Sequence, residues 1–151
     1  MPTDRLIALL VLTAVAVAVA VVLQRRRPDP PSAPSYRAPA QLDRDDFAGP
    51  ADQVLAVLFG STTCDSCPVA WAALERLLAG DDVPPGTVIS QRIDVQDEPE
   101  LHRRYRIDGV PTTLVADRDG VVIQAFFGPF VDADLLAALR TAGVPGAETT
   151  P

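Results

Sequence analysis

The feature that most constrains this chain is a junction. Val54-Leu55-Ala56-Val57-Leu58-Phe59 is a short continuous apolar run, the pattern of a strand buried on both faces. Cys64-Asp65-Ser66-Cys67-Pro68 follows it. Beyond that point Cys67, Ala70, Trp71, Leu74, Leu77 and Leu78 recur at helical spacing until Gly80 supplies a stop. The spacing predicts a strand-to-helix corner with Cys64 at or just before the first turn of the helix. These are the only 2 cysteines in the chain, so a multi-disulfide scaffold is excluded and a redox C-x-x-C is expected.

That corner has chemical consequences. Unpaired N–H groups and the positive dipole end of a helix N-terminus favour a thiolate over a thiol. The thiolate is the nucleophile of disulfide exchange, which makes Cys64 the expected attacking sulfur. Cys67, one turn along, is expected deeper, as the resolving thiol. Asp65 acts in the opposite sense, because a neighbouring carboxylate disfavours a second negative charge.

The rest of the chain suits one modest domain plus an added segment: 151 residues, 48% of them apolar. All 13 basic residues are arginines. From Gln41 onward eight arginines face eighteen acidic residues, a net charge of −10 that argues against nucleic-acid binding. Residues 6–23 carry no charge and are Leu, Val, Ile and Ala apart from Thr13. At helical rise they span about 27 Å, enough for the hydrocarbon core of a bilayer. The heavy charge, Arg25-Arg26-Arg27, comes after this run, which favours an uncleaved single-pass anchor in lipid over a signal peptide. By the positive-inside rule the same arginines weigh against Arg5 and favour a cytoplasmic C-terminal domain, with an extracytoplasmic one as the alternative. Pro28 to Ala40 holds five prolines and reads as an extended spacer. The expected organisation is a flank 1–5, an anchor 6–23, a tether 24–40, a folded domain 41–145 and a tail 146–151.

Within the domain, Leu42 to Phe47 is an entry turn or helical stub. After the first strand and helix, Val88–Val95 reads as a strand and Glu98–Tyr105 as a short amphipathic helix. Leu114-Val115-Ala116, the turn Asp117-Arg118-Asp119-Gly120 and Val121–Phe127 form a hairpin. Asp132 is expected to cap a last helix with Leu135, Leu136 and Leu139 on one face. The order β-α-β-α-β-β-α predicts an α/β domain with a central mixed sheet and helices on both faces. Trp71 is expected in the core, His102 on a helix surface, and Arg103, Arg104 and Arg106 on a solvated face. Asp94 is expected to serve a turn at the end of its strand.

C-x-x-C at such a corner, Val110-Pro111-Thr112 forty-four residues beyond Cys67, then strand, D-x-D-G turn and strand, resemble the thioredoxin superfamily over about Val54 to Ala142. The resemblance implies a thioredoxin-like fold with Pro111 in cis, packed opposite the cysteines. It implies that Val110, Pro111 and Thr63 contact an extended substrate segment, and that Asp65 and Ser66 tune the pair. Two departures stand out. The familiar W-C-G-P-C is replaced by Thr63-Cys64-Asp65-Ser66-Cys67. The buried acid of the first strand falls at Leu58, and its lysine partner falls at Ser90.

Together these readings describe a membrane-tethered thiol–disulfide oxidoreductase, reducing rather than oxidising. It would need no cofactor beyond the Cys64–Cys67 disulfide, and would act on protein thiols and disulfides with an electron donor or acceptor of unknown identity. A non-enzymatic redox sensor or scaffold is one alternative. A metal-binding module is another, although two thiolates are half of a closed zinc site and His102 lies on a different element. Ser61, three residues before Cys64, is a faint peroxidase signal without the supporting pattern.

Overall fold

Residues 37–146 are described in the computed structural model of the protein. The anchor 6–23, the flank 1–5, most of the tether and the end of the tail lie outside them. Among the described residues a 3-10 turn at Arg44–Asp46 precedes β1 (Val54–Gly60), α1 (Cys67–Leu78), β2 (Val88–Asp94), α2 (Pro99–Arg104), β3 (Thr112–Ala116), β4 (Val122–Phe127) and α3 (Asp132–Thr141). The strands form one sheet in the order β2-β1-β3-β4. β1 and β2 run parallel, joined by the crossover helix α1, whereas β1–β3 and β3–β4 are antiparallel. This is the mixed sheet with helices on both faces that the sequence predicts.

The apolar run of β1 is buried along its whole length because both faces of the sheet are covered. Val54, Ala56 and Leu58 face Ala70, Leu74 and Leu77 of α1 and Leu135, Ala138 and Leu139 of α3. Leu55, Val57 and Phe59 face a second cluster built from Leu42, Phe47, Ile93 and Tyr105, with Leu101 of α2 packed against it. Each large aliphatic side chain buried this way stabilises the fold by about 1.5–3 kcal/mol. Trp71 packs on the rim of the first cluster, partly buried. Among the described residues no helix is long and apolar enough to cross a membrane.

Several local expectations are corrected. α1 ends at Leu78, with Ala79 as its cap one residue before Gly80. β3 starts at Thr112 rather than Leu114, because Thr112 and Thr113 already pair with Phe59 and Leu58 in the ladder. Val121 stays outside β4, held in a bridge to Gln41. Glu98 and Tyr105 flank α2 rather than lie in it. Val131, not Asp132, is the cap residue of α3. The Asp132 carboxylate is drawn instead to Arg76 on α1, which donates to it at 3.0 and 3.2 Å in a bidentate pair. His102 is 5% exposed, not a surface residue. Within α2 it is the buried position, and its imidazole lies edge-on to Phe59, centroids 5.1 Å apart.

The D-x-D-G turn is bonded as a unit. The Asp117 carboxylate accepts from the N–H groups of Asp119 (3.0 Å) and Val121 (2.9 Å). Gly120 has φ of +82°, and a Cβ there would stand 2.1 Å from the Leu42 carbonyl oxygen. That close approach lets Leu42 N–H donate to Gly120 C=O at 2.8 Å and binds the entry segment to the sheet.

Candidate active site

β1 delivers the chain to the cysteine corner at its C-terminal end. Gly60 leaves room there: a Cβ on it would lie 3.6 Å from the Cys67 sulfur. Residues 61–66 then turn tightly, with Cys64 N–H donating to Ser61 C=O (3.2 Å) and Cys67 N–H to Cys64 C=O (3.3 Å). α1 starts at Cys67, with Pro68 in its first turn, where a missing N–H costs nothing.

Cys64 and Cys67 form a disulfide, their Cα atoms 5.5 Å apart. Cys67 is wholly buried and Cys64 is half-buried, so only the first sulfur is open to a partner. The Cys67 N–H points at the Cys64 sulfur at 3.1 Å. Ser66 is the cap residue of α1, yet its hydroxyl makes no capping bond and lies 3.6 Å from the same sulfur. Asp65 is exposed beside it.

Across from the cysteines, the Val110–Pro111 peptide is cis. Thr112 Oγ1 donates to Gly109 C=O (2.7 Å), and Gly128 N–H donates to Pro111 C=O (2.8 Å), fixing the loop to the end of β4. Ser66, Gly109, Val110, Pro111, Thr112, Phe127 and Gly128 line a groove of about 230 Å³. The structure therefore brings together Ser66, Val110 and Pro111. Thr63 and Asp65 are not among the lining residues.

Position 58 is a buried leucine of the first core cluster, as its apolar run requires. Ser90 is exposed and pairs with Ala56, two positions short of Leu58. The charged pair in this region is one strand over. Arg92 and Asp94 are the register partners of Leu58 and Gly60 and share their face of the sheet. They form an ion pair at 3.3 Å, with the Asp94 side chain 9% exposed. The other Asp94 oxygen accepts from Gln96 N–H at 3.1 Å, the turn role expected of it.

Spacing did not single out Gln96, Phe127 or Gly128 as site residues, since none belongs to the C-x-x-C or V-P-T signals. Gln96 reaches the cysteine loop from the turn after β2 and bonds Thr62 and Ser61. Among the described residues no three His, Cys, Asp or Glu side chains gather as a metal site.

No protein-family model matches the chain. Mitochondrial thioredoxins from Mus musculus, Rattus norvegicus and Bos taurus are each 31% identical to it over 84 residues, 56% of this chain and 48% of theirs. The chain thus spans about half the length of these relatives. Chloroplastic thioredoxin z superposes with a TM-score of 0.52 at 26% identity, over 60% of this chain and 79% of that one. A malaria-parasite thioredoxin-2 gives a TM-score of 0.51 at 16% identity over 59% of this chain and 82% of that one, a likeness of fold alone. Together these likenesses support assignment of the chain to the thioredoxin superfamily.

Proposed function

We propose that this protein is a membrane-tethered thiol–disulfide oxidoreductase that reduces protein disulfides. The observation that carries the reading is the asymmetry of the pair: a half-buried Cys64 whose sulfur lies 3.6 Å from the hydroxyl of Ser66, a residue of the groove wall, and a fully buried Cys67. In the reduced protein the Cys64 thiolate attacks one sulfur of a substrate disulfide. A Cys64–substrate bond forms, the substrate S–S bond breaks, and its other sulfur leaves as a thiolate. Cys67, as thiolate, then attacks the Cys64 sulfur and expels the second substrate thiolate. Two electrons pass to the substrate, whose two thiolates take up protons, and the protein is left as the Cys64–Cys67 disulfide. A dithiol electron donor must restore it.

The extended substrate segment would lie against Val110 and Pro111. Cys67 N–H and the Ser66 hydroxyl are placed to donate to a Cys64 thiolate, whereas the exposed Asp65 charge opposes it. Such mixed stabilisation supports a reductant, because strong oxidants of this chemistry owe their potential to a much stabilised reduced form. Likeness to thioredoxins supports the same direction. A Cys67→Ser variant should accumulate mixed disulfides through Cys64; absence of any trapped species under non-reducing electrophoresis would contradict the reading.

The tether rests on sequence: the charge-free run 6–23 followed by three arginines and a proline-rich spacer. Resistance of the full chain to alkaline extraction from membranes tests it. For the cytoplasmic side, Gln41→Cys in a background with Cys64 and Cys67 replaced by serine should resist an impermeant maleimide in intact cells. Labelling there would place the domain outside.

A further inference from the structure

The hydrogen bonds behind the cysteine loop have a direction that the heavy atoms alone determine. Thr62 N–H can only donate, and it donates to the Gln96 side chain at 3.2 Å. The acceptor end of that amide is therefore the oxygen, Oε1, and the nitrogen end faces Ser61. Gln96 Nε2 donates to Ser61 Oγ at 2.9 Å, and Thr63 N–H donates to the same oxygen at 3.2 Å. Both lone pairs of Ser61 are then occupied. Ser61 is 6% exposed, so its own proton has one place to go: Thr63 Oγ1, 2.9 Å away. Thr63 must accept that bond, and its hydroxyl hydrogen is left pointing elsewhere. Thr63 is exposed and precedes the half-buried Cys64.

We infer that Gln96 is a positioning residue that, through Ser61, leaves the Thr63 hydroxyl hydrogen free to donate to an acceptor on the substrate segment docked at Cys64. The inference rests on the oxidoreductase reading above and adds to it a specificity element. Where the aromatic side chain of W-C-G-P-C would present an apolar surface, this chain presents a hydroxyl proton that Ser61 does not engage. Substrates with a backbone carbonyl or hydroxyl oxygen beside the scissile disulfide are favoured over those with an apolar side chain there. The substitution Gln96→Glu keeps nearly the same shape but replaces the amide by a group that only accepts. Ser61 would then donate to that carboxylate, Thr63 would donate to Ser61, and the outward donor would be lost.

The test is a double-mutant cycle on the full chain, with insulin as the probe disulfide and kcat and KM measured separately. Thr63→Val and Gln96→Glu should each lower kcat/KM about three- to tenfold, mostly through KM. Thr63→Ser should restore the wild-type value. In the Thr63→Val background Gln96→Glu should add nothing, because the hydroxyl it redirects is absent. If Gln96→Glu fails to fold, Gln96→Leu takes its place, and its loss should likewise vanish in the Thr63→Val background. Alkylation of Cys64 by iodoacetamide, which has no docked segment, should proceed at the wild-type rate in Thr63→Val. The inference is overturned if Thr63→Val reduces insulin as fast as wild type. It is overturned equally if the two losses multiply, as they would if the introduced carboxylate acted on Cys64 through its charge. A wild-type chain unable to reduce insulin would instead remove the oxidoreductase reading, and the inference with it.

Discussion

The two faces of the sheet are closed by different means. On one, α1 and α3 lay continuous apolar stripes against Val54, Ala56 and Leu58, and the exposed Arg76–Asp132 pair links the two helices. The other is covered by the six-residue α2 and the entry segment, and polar bonds do much of the fastening. Tyr105 Oη donates to Asp46 and accepts from Asp43 N–H at 2.9 Å, while Arg104 pairs with Asp43 (2.6 Å) and Asp46 (2.9 Å). Cys67 belongs to the helical face. The redox centre is thus set on the face packed by α1 and α3, and the network of Tyr105, Arg104, Asp43 and Asp46 belongs to the other face. Stability should respond to both faces, and sulfur chemistry to the first alone.

The largest break is expected on the helical face. Leu74 is wholly buried between α1 and the sheet, and Leu74→Ala should cost about 2–5 kcal/mol of unfolding free energy in denaturant titration. It should also raise the alkylation rate of reduced Cys67, which the loosened helix no longer covers. On the other face Gly120→Ala sets a Cβ against the Leu42 carbonyl in a left-handed conformation. A cost of about 1–3 kcal/mol is expected, with alkylation of Cys67 unchanged. If Gly120→Ala exposed Cys67 as much as Leu74→Ala does, the two faces would not be separable.

A smaller effect should come from Tyr105→Phe, which strands the Asp43 N–H and takes one donor from the Asp46 carboxylate, leaving it Arg104. About 1–2 kcal/mol is expected, again with unaltered cysteine reactivity. The smallest is read in pH. Burial, and then the hydrogen bond to Asp46, push the Tyr105 phenol up from 10.0 to about 12, against the opposing pull of Asp43 N–H. The folded chain holds this proton more tightly than the unfolded one. The stabilisation is therefore complete below pH 10 and fades as pH rises toward 12. Ultraviolet titration of the full chain should show one tyrosinate appearing near pH 12, and Tyr105→Phe should abolish that step.

The same contrast explains what could be read from residues alone. The helical face was legible because its determinants are periodic: six apolar positions of α1 at helical spacing, and the uninterrupted run of β1. The cysteine corner and the V-P-T loop were legible because each is a contiguous string. The second face is assembled from residues distant in sequence, such as Leu42, Phe47, Phe59, His102 and Tyr105, and no local period announces them. His102 looked like a surface residue because the residues after it, Arg103 and Arg104, are charged, whereas its burial comes from Phe59. Asp132 carried a helix-cap signature that an arginine on another helix overrode. Gln96 gave no signal, since its importance lies in two bonds to a loop some thirty-five residues earlier.

The most direct test of the central claim is the redox equilibrium of the Cys64–Cys67 pair in the full chain, followed across graded glutathione buffers. A single reversible two-electron transition with a midpoint near that of thioredoxin, about −270 mV, is expected. A midpoint near −120 mV would contradict the reducing direction. A pair that never cycles between dithiol and disulfide would contradict the oxidoreductase itself.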